Sequence, residues 1–380
     1  MTLQIHNPLK PIALYGLLAA GLCTSATAKT FCVNPGGTSG CLSTIAAAIS
    51  AASAGDTINI GAGEYAEAVI VKKSLSLVGA GADATVINAR GLSNGIYIDG
   101  LDAPGLSHVQ VTGMTVLNAN YEGILITNAS YVVVANNHVA ANDQSLNYAA
   151  ATCPGQPAFE TSEGEDCGEG IHLSGVSFST ISNNDVELNS GGILLTDETG
   201  ITYVNQITGN YVHDNALDCG ITLASHPPAP PATAPFGVIN NNMVGNRVIG
   251  NGKIGAGAGI GVFAPGPGNV AYGNQVIGNV IENNGLPGVT VHNHAAPPGA
   301  PQVNLNAIVI IGNYISGNGA DTQDAATPGT AGINIYGVAG IWATEIMQNT
   351  IVNEAYDVVM NNPGSMDVHN NNLLGTGVGV

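Results

Sequence analysis

Residues 184–195 read Asn184-Asp185-Val186-Glu187-Leu188-Asn189-Ser190-Gly191-Gly192-Ile193-Leu194-Leu195. Two short patterns lie end to end here. Asn184 to Asn189 is Asn-x-apolar-x-x-Asn, and Gly192 to Leu195 is Gly-apolar-x-apolar. Both recur. The first returns from Asn137 to Asn142, Asn210 to Asn215, Asn246 to Asn251, Asn279 to Asn284 and Asn313 to Asn318. The second returns with Gly95, Gly123, Gly170, Gly220, Gly259, Gly288 and Gly332 as its glycines. Where nothing is inserted, the repeat is roughly 22 to 29 residues. Each unit holds two or three period-2 strands between Asn or Gly turns. One unit cannot bury its Ile, Val and Leu alone, but stacked coils can. Equivalent Asn side chains then pair between neighbouring coils.

The composition agrees with that reading. The 380 residues carry 26 Asp plus Glu against 7 Lys plus Arg, a formal charge of -19. Only 9% of residues are charged, 45% are hydrophobic and 52 are Gly. So few cations exclude a general nucleic-acid binder, which must neutralise phosphates. They also exclude docking on an anionic membrane through a basic patch. The hydrophobic share excludes an acidic disordered chain. Helical bundles need charged surfaces that this chain lacks. A solenoid with Asn and Gly turns does not.

Residues 1–28 read as a signal peptide. Lys10 ends the n-region, an apolar run reaches about Cys23, and Ala26-Thr27-Ala28 gives the cleavage site. The remaining 29–380 read as the repeat domain, with 29–60 forming its N-terminal cap and first strands. The stretch from Leu42 to Ala52, with Leu42, Ile45 and Ile49 on one face, reads as a capping helix over the first open coil. Export permits disulfides. Cys32 with Cys41, and Cys153 with Cys167, are short-range pairs, and Cys219 is left as a buried thiol.

Three stretches interrupt the repeat, at about 143–168, 227–237 and 295–301. Insertions in a solenoid emerge as loops and frame its binding face. Strand alternation then assigns the side chains beneath them. One outward column reads Tyr97, Leu125, His172, Leu194, Thr222, Gly261, Thr290, Asn334. The next reads Asp99, Thr127, Ser174, Thr196, Ala224, Phe263, His292, Tyr336. Glu198, His226 and His294 are expected in a third. Glu169, Asp197 and Asp218 lie at the edges of the same strands. Histidines beside carboxylates on one groove suit acid–base chemistry. Paired carboxylates suit glycosidic cleavage.

The opening of the chain carries a resemblance. GDTINIGAGEY (55–65), VIVKKSLSLVGAG (69–81) and TVI (85–87) after a cap helix resemble the start of secreted, pectin-lyase-like right-handed parallel β-helix proteins. The Asn-rich repeats resemble the carbohydrate-binding and sugar-hydrolase branch. They are also similar to periplasmic β-helix proteins of the nitrous-oxide-reductase maturation type. The resemblance implies an all-β, single-stranded right-handed parallel β-helix over about 30–375. It does not carry over a catalytic set. Pectate-lyase-like enzymes use an Arg or Lys base beside acidic calcium ligands, and only Arg247 and Lys253 lie in the central repeats here. The polygalacturonase-like motifs and the Asp-Pro-His-Asp motif of alginate-epimerase-like proteins are absent.

The expected function is an exported, monomeric protein that binds and degrades polysaccharide, as a hydrolase or lyase. Asp197, Glu198, Asp218, His172 and His226 are the candidate catalytic residues. Glu169, Thr222, Phe263, Thr290, His292, His294 and Tyr336 are the candidate substrate contacts. The expected glycan is neutral, or acidic with a bridging divalent cation such as calcium. Two alternatives stand beside this: a non-catalytic adhesin or accessory protein, and a periplasmic metal-handling protein using His226, His292 and His294. No nucleic-acid partner and no membrane span are expected.

Overall fold

The computed structural model describes residues 27–147, 149–150, 152–157, 159, 167–226, 235–294, 297–323 and 325–376. The expected leader falls almost wholly outside them. So do most of the 227–237 insertion and, within the 143–168 insertion, Tyr148, Glu160, Glu163, Glu165 and Asp166.

Three sheets of 12, 10 and 11 strands run the length of the described chain. Each coil contributes one short strand to each sheet, and successive coils pair in parallel. The core is a set of stacked aliphatic columns. In the 10-stranded sheet, Ile96, Ile124, Ile171, Ile193, Ile221, Ile260, Val289 and Ile333 follow one another in register. All are fully buried. β-Branched residues suit such a column because they pack stiffly on a pleated surface.

The turns are held by Asn ladders. Asn137, Asn184, Asn210, Asn246, Asn279, Asn313, Asn349 and Asn371 form one. Asn142, Asn189, Asn215, Asn251, Asn284 and Asn318 form another. A third, shorter one joins Asn205, Asn241 and Asn274. At each step the Oδ1 accepts two bonds from the Asn of the preceding coil, one from its backbone N–H and one from its Nδ2. For Asn246 these come from Asn210 at 3.0 Å each. Its own Nδ2 donates to Ile207 O at 2.8 Å. Buried turns are thereby satisfied with no charge.

The helix spans Ile45–Ala51. It starts later than the sequence reading because Thr44 is its N-cap, accepting from Ala47 N–H at 3.2 Å. Leu42 lies outside it and bridges to Val33 instead. Glu67 accepts the first free helical N–H groups, from Ile45 at 2.8 Å and Ala46 at 3.0 Å. Lys73 donates to the carbonyls of Ile49, Ser50 and Ala52 at the other end. Each charge matches the helix end it meets. Cys32 pairs with Cys41 and Cys153 with Cys167, while Cys219 is a buried free thiol.

Candidate functional site

The outward columns keep the expected register. His172 sits between Leu125 and Leu194, Thr222 between Leu194 and Gly261, and Thr290 between Gly261 and Asn334. Phe263 lies between Ala224 and His292, and Tyr336 follows His292. Exposure differs from expectation. Leu125, His172, Leu194, Thr222, Thr290 and Asn334 are all buried. So are Asp99, Thr127, Ser174, Thr196 and Ala224. This sheet does not present one open groove along its length.

The candidate residues divide into two groups. The first is a cavity of about 240 Å³ over the central coils. Asp218, Thr222, His226, Phe263, Thr290, His292 and His294 line it, and so does Asp321. The strands Ile221–Ala224, Ile260–Ala264 and Val289–Asn293 supply its floor. Thr222 Oγ1 donates to Asp218 Oδ2 at 2.9 Å, which fixes that carboxylate at the mouth of its strand. Phe263 and His292 rings are 4.8 Å apart, and His292 and His294 rings meet edge-on at 5.1 Å. Phe263 lies over Gly261, where a Cβ would overlap the ring. Glycine at that point leaves the room that the ring edge occupies. Thr290 Oγ1 is buried and, among the described residues, has no hydrogen-bond partner. A buried hydroxyl left unmade costs about 1–3 kcal/mol.

Asp197 is not a wall of this cavity. It is fully buried, and both its oxygens are used. Oδ2 accepts from Ser225 Oγ at 2.8 Å and Oδ1 from the His226 backbone N–H at 2.6 Å. Burial pushes its carboxyl up to about 6, against the lowering effect of those two bonds. Asp197 thus pins the turn that carries His226. Burial likewise raises the Cys219 thiol well above its ordinary range, so it stays protonated beside the cavity.

The second group centres on buried His172. Its Nε2 lies 2.9 Å from Thr196 Oγ1 and 3.6 Å from Glu198 Oε2, and its Nδ1 is 3.9 Å from Glu122 Oε1. Glu198 also accepts from Ser174 Oγ at 3.0 Å and from Thr196 Oγ1. Glu169 is fully buried and fills the space a side chain at Gly191 would need. The expected third column therefore does not form one site. Glu198 turns toward His172, whereas His226 and His294 face the cavity. Tyr336 and Glu169 are not among the cavity's lining residues.

Two residues were missed from sequence. Glu122 precedes Gly123 just as Glu169 precedes Gly170, so aligning the repeats by that glycine would have exposed the pair. Asp321 lies between repeats and gives no periodic signal. Among the described residues, no group of three or more His, Cys, Asp or Glu could hold a metal ion. The three cavity histidines share a wall without forming a ligand set. Arg247 lies on another sheet, its guanidinium 5.0 Å over the Tyr211 ring. No helix among the described residues is long and apolar enough to cross a membrane.

Comparison with known proteins gives the fold directly. Residues 77–276 match the family model described as right handed beta helix region. No curated protein sequence matches the chain. Several solved structures share its architecture. An alginate lyase from Paenibacillus sp. str. FPU-7 superposes with TM-score 0.53 at 13% identity, covering 91% of this chain and 99% of that one. The surface adhesin PfbA of Streptococcus pneumoniae gives TM-score 0.53 at 14% identity, covering 87% and 85%. A GH87 α-1,3-glucanase catalytic domain, solved with tetrasaccharides, gives TM-score 0.53 at 16% identity over 83% of this chain. The match spans about half of that chain, 54%. At such identities the likeness is one of fold.

Proposed function

The chain belongs to the right-handed β-helix family, and from that premise we propose that it is an exported protein that binds and cleaves polysaccharide at the central cavity. One observation carries the proposal. A single cavity gathers two carboxylates, three imidazoles, an aromatic ring and a buried hydroxyl with no partner among the described residues. Carboxylate and imidazole together suit proton transfer at a glycosidic linkage. The Phe263 ring in the cavity lining suits the apolar face of a sugar. Asp218 is the candidate reacting carboxylate. His226 is the candidate proton carrier, and Asp197 is a positioning residue that holds its backbone. His292, His294, Thr222, Thr290 and Phe263 are the candidate contacts. The buried His172–Glu122–Glu198 group lies farther along the same 10-stranded sheet and is not assigned a reacting role.

Fold neighbours that act on alginate and α-1,3-glucan support a carbohydrate substrate. Two disulfides support an oxidising compartment, extracellular or periplasmic. Among the described residues neither Lys nor Arg lines the cavity, which argues against a polyanion unless a cation such as calcium bridges it. A binding-only adhesin is the second reading. It is favoured by an aromatic strip, His108–Tyr131–Phe178–Tyr203, with ring centroids 5.1, 5.3 and 5.0 Å apart. A polysaccharide panel assayed for released oligomers separates the two. Wild type should release product from at least one glycan, and Asp218→Asn or His226→Ala should cut the rate by about 100-fold or more. Equal release by all three proteins would reject the site. Binding with no release would establish the adhesin reading.

A further inference from the structure

Resting on that reading, we propose that the glycan entering the cavity is cationic: a polymer of amino sugars bearing free primary amines. The cavity places Asp218 and Asp321 in one small space, with no Lys or Arg among the described residues of its lining. Asp321 is buried and oriented by its own loop, its Oδ1 accepting from Gln323 N–H at 2.8 Å. Three of the chain's seven Lys and Arg are engaged elsewhere. Lys72 is held by Asp99 at 3.0 Å and Asp102 at 2.6 Å. Lys73 is tied to the helix end, and Arg247 lies over Tyr211. Acids outnumber cations 26 to 7 over the whole chain. Such a field draws positive ligands in and turns negative ones away.

The local groups fit an ammonium better than a hydroxyl. Carboxylates form their strongest hydrogen bonds with charged donors. Thr290 Oγ1, buried and unpartnered, adds an acceptor that a protonated amine can use. The Phe263 ring, packed over Gly261 in the cavity lining, is an aromatic partner for a nearby cation. An N-acetylated sugar loses the charge, a neutral glucan never has it, and a uronate carries the wrong sign.

The test titrates the full chain with three hexamers: fully deacetylated glucosamine, its N-acetylated form, and glucose. At low ionic strength the deacetylated hexamer should bind at least about 10-fold tighter than either other, and the preference should shrink as salt rises. Asp218→Asn and Asp321→Asn should each reduce that preference. Asp367→Asn removes the same charge from a side chain 72% exposed at another place, and should leave it intact. An equal loss in Asp367→Asn would mean bulk attraction only and overturn the inference. Asp218-dependent binding of glucose or N-acetylated hexamer as tight as the cationic one would also overturn it, while leaving the cavity reading in place. Failure of every glycan, in this titration and in the polysaccharide panel, would overturn both.

Discussion

Asp197 carries two opposing effects on one carboxylate. Ser225 and the His226 backbone stabilise its charge, and burial disfavours it more strongly. The folded value of about 6 lies above the ordinary 3.8. Between those values the folded state binds more protons than the unfolded chain. Stability therefore falls as pH rises through that window and levels off above it. The shift corresponds to a loss on the order of 3 kcal/mol. Asp197→Asn should remove this share of the decline, since an amide still accepts from His226 N–H and can donate to Ser225. Urea unfolding at a series of pH values between about 4 and 7 checks it; a wild-type slope that persists in the variant would contradict the assignment. Individual site residues were only partly legible in the sequence. The period of two set which column each side chain occupies. It carried no information on what folds over the sheet, so His172, Glu169 and Asp197 were read as groove residues although they are buried.

The Asn ladder is the element on which the coils depend. Asn246 sits in its middle, fully buried, accepting two bonds and donating two more. Asn246→Ala should cost about 3 kcal/mol, because buried donors of Asn210 lose their acceptor. Asn371 ends the same ladder and is less enclosed. Asn371→Ala should cost about 1 kcal/mol. Equal losses in the two would contradict a ladder whose worth depends on neighbours on both sides. The second ladder ends differently: Asn318 donates through its N–H and Nδ2 to Glu354 at 2.8 and 3.1 Å. Burial raises this carboxyl, so its contribution to stability falls as pH rises through the folded value. Glu354→Gln keeps the acceptor without the charge. It should melt higher than wild type near neutrality and lose that advantage in acid. This element was the most legible part of the chain, because a ladder demands the same residue at the same place in every coil. Glu122 and Asp321 show the limit. One stood a residue outside the repeat as it was read, and the other belongs to a loop with no repeat.

At the scale of the molecule, a solenoid of short parallel strands needs little surface charge. Its one sign of charge is then available to select ligands. The cavity is where that field meets a floor of named groups, and Thr290 is the most diagnostic of them. Its hydroxyl is buried with no partner among the described residues, a cost that a bound ligand would offset. Thr290→Val keeps the shape and removes the hydroxyl. Its melting temperature and its affinity for the glycan identified by the panel, measured together, test the central claim most directly. The account predicts a stability gain of about 1 kcal/mol with a loss of binding of about 10-fold. A variant that binds as tightly as wild type would contradict it.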